Sequence, residues 1–110
     1  MNNTKWRRIL TLLAEYPLYL QFKLLGEREF PLDVEQANLV LSGFGTTHFT
    51  LVRRELSYSD IGQLKIVTSP LPANTTLSQL QQALAGIAQI TINPLIAVED
   101  GYLLSGYSGI

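Results

Sequence analysis

No cysteine occurs anywhere in the 110 residues. Disulfides, thiolate metal sites and a cysteine nucleophile are therefore excluded, and a reducing compartment fits the absence. Histidine is nearly as scarce. The single His48 has no second histidine with which to hold a metal and no G-x-S-x-G serine beside it, so it reads as an ordinary strand residue. Gly43-Phe44-Gly45 lacks both the third glycine and the following Lys-Ser/Thr of a phosphate loop. Charge is sparse too: 15% of residues are charged and the formal net charge is -1, against about 25% charged in an average domain. Proteins that neutralise phosphates carry a basic excess, and here no aromatic–basic alternation marks an RNA-recognition sheet. Nucleic acid is therefore not an expected partner. No apolar run approaches the roughly 18–20 residues of a membrane span, so no membrane partner is expected. The start, MNNTKWRRILTLLA, is basic and then apolar, as in a signal peptide. Glu15 and Tyr16-Pro17 stand where a small-residue cleavage site would lie, and a mature cytoplasmic protein is expected.

What is present suits one domain spanning residues 1–110. Asn3 or Thr4 can cap a first helix, along which Trp6, Ile9, Leu10 and Leu13 form a stripe at i, i+3, i+4, i+7 spacing. Trp6 is thus a core candidate, and Lys5, Arg7 and Arg8 form a solvated basic edge. Pro17 closes the segment. Leu18, Leu20, Phe22 and Leu24 alternate with Tyr19, Gln21 and Lys23, the pattern of a half-buried strand. Asp33 can cap a second helix over 33–42. Residues 46–56 have strand composition, and with 63–68 they are expected to form an antiparallel hairpin around Tyr58–Gly62. Thr75 or Thr76 caps a helix whose Leu77, Leu80, Leu84 and Ile87 share a face. Ile90-Thr91-Ile92 reads as a strand. Asp100-Gly101 between two apolar runs is a strong hairpin signal, since a type I′ turn needs positive φ at both positions.

The expected class is α+β: a single antiparallel sheet with packed helices. The order gives a ferredoxin-like βαββαβ core with an N-terminal helix and a C-terminal hairpin strand added. If residues 33–42 are strand instead, the class stands and the topology changes.

Charge is also unevenly spread. All eight basic and seven of the nine acidic residues precede Ile66, leaving Glu99 and Asp100 as the only charges beyond it. That half is either buried beneath a neutral polar surface or covered by a partner. Arg53-Arg54 adjoin Glu55 on a strand whose neighbours face opposite ways, and one arginine could pair with Glu15, Glu35 or Glu55. Glu27, Glu29, Asp33 and Glu35 fall in one short acidic stretch whose spacing fits no calcium loop.

No catalytic residue, metal or cofactor is assigned, and the chain is not expected to be an enzyme. KWRRILTLL followed by YLQFKLL resembles the start of small bacterial immunity-type proteins, which neutralise toxins. The resemblance implies a cytoplasmic protein that covers a cognate toxin domain stoichiometrically. Against the basic site of a nuclease, the contact residues would be Glu27, Glu29, Asp33 and Glu35, with Glu99 and Asp100 on the last hairpin. The βαββαβ order with Gly26 at the first junction also resembles ACT-type sensory domains. That resemblance implies instead a regulatory module that binds a small ligand or self-associates.

Overall fold

The computed structural model describes residues 1–31, 34–37, 41–44, 48–51 and 54–106. Helix α1 spans Asn3–Leu13 and is capped by Asn2, whose side chain accepts the Lys5 N–H at 2.8 Å. The cap lies just before the expected Asn3 or Thr4. The stripe is as expected: Trp6, Ile9, Leu10 and Leu13 are all buried. Among the described residues, eight strands and a second long helix follow. They are β1 (Tyr19–Leu24), β2 (Glu35–Gln36), β3 (Leu41–Phe44), β4 (His48–Leu51), β5 (Arg54–Ser57), β6 (Ile61–Val67), α2 (Leu77–Ile90), β7 (Leu95–Val98) and β8 (Gly101–Ser105), with a 3-10 turn at Tyr58–Asp60 between β5 and β6. Thr76 caps α2 in a reciprocal box with Gln79, which satisfies two otherwise unpaired N–H groups.

The main sheet has the order β2-β1-β6-β8-β7, and every neighbouring pair is antiparallel. Leu20 lies opposite Ile66, Phe22 opposite Leu64, and Leu64 opposite Leu104. Successive strand residues point to opposite faces, so these five share one face. They form a single buried cluster with Trp6, Ile9, Leu10 and Leu13 of α1 and Leu80, Ala83 and Ile87 of α2. Both helices therefore cover the same face. They close on each other at Gly86, where an added Cβ would stand 2.6 Å from Leu12 Cδ2.

A second sheet, β3-β4-β5, delivers Phe49 into this core. Its ring stacks on Tyr58 at 5.1 Å between centroids and lies 5.8 Å from Phe22.

The α+β class holds. The βαββαβ order is not found among the described residues: Glu35–Gln36, inside the expected second helix, pairs with β1, and Leu41–Phe44 pairs with β4. Asp33, Leu39 and Val40 lie outside the described residues. A short run such as Leu39-Val40-Leu41 carries no period that separates helix from strand. The expected 46–56/63–68 hairpin is also corrected. Its first half folds on itself as β4 and β5, while β6 is taken by β1 and β8. Ile90 ends α2 and Ile92 is exposed, so no strand forms there.

The last hairpin is present with its turn one residue early. Val98 pairs with Gly101, leaving Glu99–Asp100 as the two-residue loop. Gly101 is required by proximity, because a Cβ there would run into the Ile66 carbonyl of β6.

Two expectations follow from the core. Trp6→Ala should cost about 3–5 kcal/mol in urea unfolding at neutral pH, and an unchanged midpoint would mean that α1 does not seat on the sheet. Tyr58 is fully buried and its hydroxyl has no hydrogen-bond partner among the described residues. Burial pushes the phenol above its usual range, and the nearby Arg7 guanidinium opposes this. A raised folded-state pKa means that the folded form holds its proton longer. Stability is therefore complete below the unfolded value of about 10 and falls as pH rises past it. Tyr58→Phe removes an unsatisfied donor. It should gain about 1 kcal/mol at pH 7 and flatten the alkaline loss, as read by denaturant titrations at both pH values.

Candidate functional site

Where β1 ends, three backbone features and one side chain fix a tight turn. Gly26 has φ +88°, the positive value that the third position of a type II turn needs. The Glu27 N–H donates to the Leu24 carbonyl at 3.1 Å, and the Leu25 N–H donates to the Asp60 carbonyl at 2.8 Å. The Glu27 carboxylate accepts the Leu24 N–H, also at 2.8 Å. On this fixed backbone the Leu25 side chain stands 52% exposed. The turn borders a recess of about 220 Å³ lined by Leu24, Leu25, Gly62, Gln63 and Ser105. The recess sits at a bulge: Lys23 pairs with Gln63 but Leu24 with Ile61, so Gly62 is left over. Bulges recur beside functional sites because they re-aim the residues next to them.

Behind the turn the chain crosses the outer face of the sheet, the side away from the helices. Gln21 and Lys23 of β1 and Lys65 of β6 point there. Both ammonium groups approach the Phe30 ring, Lys23 Nζ at 5.2 Å and Lys65 Nζ at 4.6 Å from its centroid. Each contact of this kind contributes about 0.5–1 kcal/mol at partly exposed sites. The Gln21 amide donates to the Pro31 carbonyl at 2.8 Å, which explains why an outward-facing glutamine is buried.

Of the six carboxylates expected at a contact, the five that are described lie at three places. Glu27 and Glu29 are exposed at the β1 exit. Glu35 lies on β2 opposite Leu20, near the other end of β1. Asp33 falls outside the described residues. Glu99 and Asp100 form the β7–β8 turn. Asp100 is already engaged, its carboxylate 3.3 Å from Lys65 Nζ and its carbonyl accepting the Thr68 N–H at 2.9 Å. Lys65 thus joins Asp100 to Phe30, and Asp100 helps to hold the loop. Glu29 and Glu99 make no ion pair among the described residues.

The basic edge of α1 borders a separate open groove of about 510 Å³ lined by Arg7, Arg8, Thr11 and Ile90. The Thr11 hydroxyl there donates to the Arg7 carbonyl. His48 lies on β4. No three metal-ligating side chains cluster among the described residues, and no helix is long and apolar enough to cross a membrane.

Leu25 and Phe30 were not evident as site residues in the sequence. Leu25 lies just past the alternating run that ends at Leu24, and Phe30 finds its second lysine 35 positions away. The readable trace was Gly26, which ends β1 where a positive φ is needed. No family model, curated protein or solved structure matches the chain.

Phe30→Leu keeps apolar bulk but removes the ring face. It should cost about 1 kcal/mol in chemical denaturation, and equal stability would show that the lysine contacts contribute nothing.

Proposed function

We propose that the chain is a small, non-enzymatic protein-binding module that acts by covering its partner. In its specific form it is a bacterial, cytoplasmic immunity-type protein that neutralises a basic, nuclease-type toxin domain at 1:1 stoichiometry. The observation that carries the reading is Leu25, a large apolar side chain held out to solvent on a turn fixed by three hydrogen bonds. Binding energy at protein interfaces concentrates in a few apolar anchors ringed by polar contacts. An anchor ordered before binding avoids the cost of immobilisation.

Glu27 and Glu29 follow the anchor in the chain, on either side of Arg28, and all three are exposed. Carboxylates exposed at a contact speed encounter with a basic surface and disfavour acidic ones. The open recess beside the turn offers a shallow socket for a partner side chain.

The test separates folding from contact. The natural partner is isolated from the host on the tagged chain, and its affinity is measured for the parent, Leu25→Ala and Glu29→Lys. Leu25→Ala should change stability by no more than about 0.5 kcal/mol, as exposed substitutions do. It should weaken binding by about 2 kcal/mol or more, as loss of an anchor does. Glu29→Lys should slow association and make it more salt-sensitive. One equivalent of the parent should abolish the partner's activity. If parent and Leu25→Ala bind alike, the contact lies elsewhere; binding without inhibition would leave a binding module and remove the toxin-neutralising role.

A further inference from the structure

The two edges of the main sheet differ in kind. One edge is β2, only two residues long and bearing Glu35. The other is β7, Leu95-Ile96-Ala97-Val98, with no charge, no proline and no bulge within it. Folded proteins usually guard such an edge with charge, proline or irregularity, because its unpaired N–H and C=O groups template another strand. Among the described residues nothing pairs with the far side of β7.

Which groups are free follows from the hydrogen bonds of β8. Thr68 N–H donates to Asp100 C=O, and Gly106 N–H donates to Gly62 C=O. Even-numbered residues of β8 therefore address β6, and odd-numbered ones address β7, since the directions alternate along an antiparallel strand. Gly101 and Leu103 pair with Val98 and Ile96, so the backbone groups of Leu95 and Ala97 point away from the sheet.

We infer that this edge binds a second copy of the chain, antiparallel, about a two-fold axis through Ile96. The edge is self-complementary in that register. The free groups of Leu95 meet those of Ala97 in the other copy, and those of Ala97 meet Leu95, giving a closed set of backbone bonds. Ile96, on the outer face and 54% exposed, falls opposite its own counterpart. Glu99 falls opposite uncharged Asn93, so no like charges meet. The two five-stranded sheets become one, with both pairs of helices on the same face. A two-fold contact uses the same patch on both copies, which this patch allows. Its strand is short, so the dimer is weak and appears only at high concentration. The inference is independent of the partner proposed for Leu25, since β8 and β6 separate β7 from β1.

The test uses the full chain alone. Sedimentation velocity should show a concentration-dependent monomer–dimer equilibrium. Ile96→Lys, which sets two ammonium groups face to face, should weaken it at least tenfold. Ala97→Pro, which removes only an outward N–H, should abolish it while circular dichroism stays that of the parent. The chain has no native cysteine, so a single one reports cleanly. On the axis, facing residues lie about 4.5 Å apart between Cα atoms, within disulfide range. Ile96→Cys should therefore oxidise to a dimer at least tenfold faster than Ile92→Cys, although Ile92 is 94% exposed. A monomer at every concentration, a dimer indifferent to Ile96→Lys, or equal oxidation of the two cysteine variants would overturn the inference.

Discussion

The pairing of Leu20 with Ile66, Phe22 with Leu64 and Leu64 with Leu104 makes one apolar face on which everything else rests. A chain this short has area for one sizeable core, and both helices are spent on that face. Their joint fit explains two glycines. Gly86 lets α2 approach Leu12, and Gly101 lets β8 approach β6. The N- and C-terminal parts are tied at the same place, where the Met1 amine donates to the Gly106 carbonyl and Trp6 packs against Gly106.

With both helices on one side, the other side of the sheet needs cover of its own. It receives a loop, and the means of attachment is chemical more than apolar. Two lysines on adjacent strands take up the face of Phe30, and Asp100 balances one of them. The same loop begins in the turn that presents Leu25. A segment with little regular structure is thus held at both ends of its described part, which is what an interface needs if ordering is not to be charged against affinity. The uncharged β7 edge belongs to the charge-poor half of the chain. A second copy would accept it without having to match any charge.

The first helix was legible because four large side chains at helical spacing leave few alternatives, and burial follows directly from that spacing. The last hairpin was legible from two apolar runs around Asp100-Gly101. Its turn shifted by one because Gly101 answers to a carbonyl on β6, a contact that local turn preferences do not contain. The segment around residues 33–42 was not legible, since a short mixed run takes its structure from its neighbours and β1 offered an open edge. For the site, the acidic character of Glu27 and Glu29 was visible, but the exposed Leu25 two residues before Glu27 was not. The ion pair of Asp100 was not legible because its cation, Lys65, is 35 residues earlier. Leu25 was not legible because the alternation ends at Leu24 and its own backbone is fixed by a bond to Asp60, 35 residues later.

The central claim is that Leu25 and the chain through Pro31 form a fixed surface before any partner arrives. Backbone 15N relaxation of the free protein measures this on the ps–ns timescale. Order parameters near 0.85 at Leu25, Gly26, Glu27 and Phe30, equal to those of β1 and β6, are the expected result. Values below about 0.6 at these positions, with a rigid sheet beneath them, would contradict the claim.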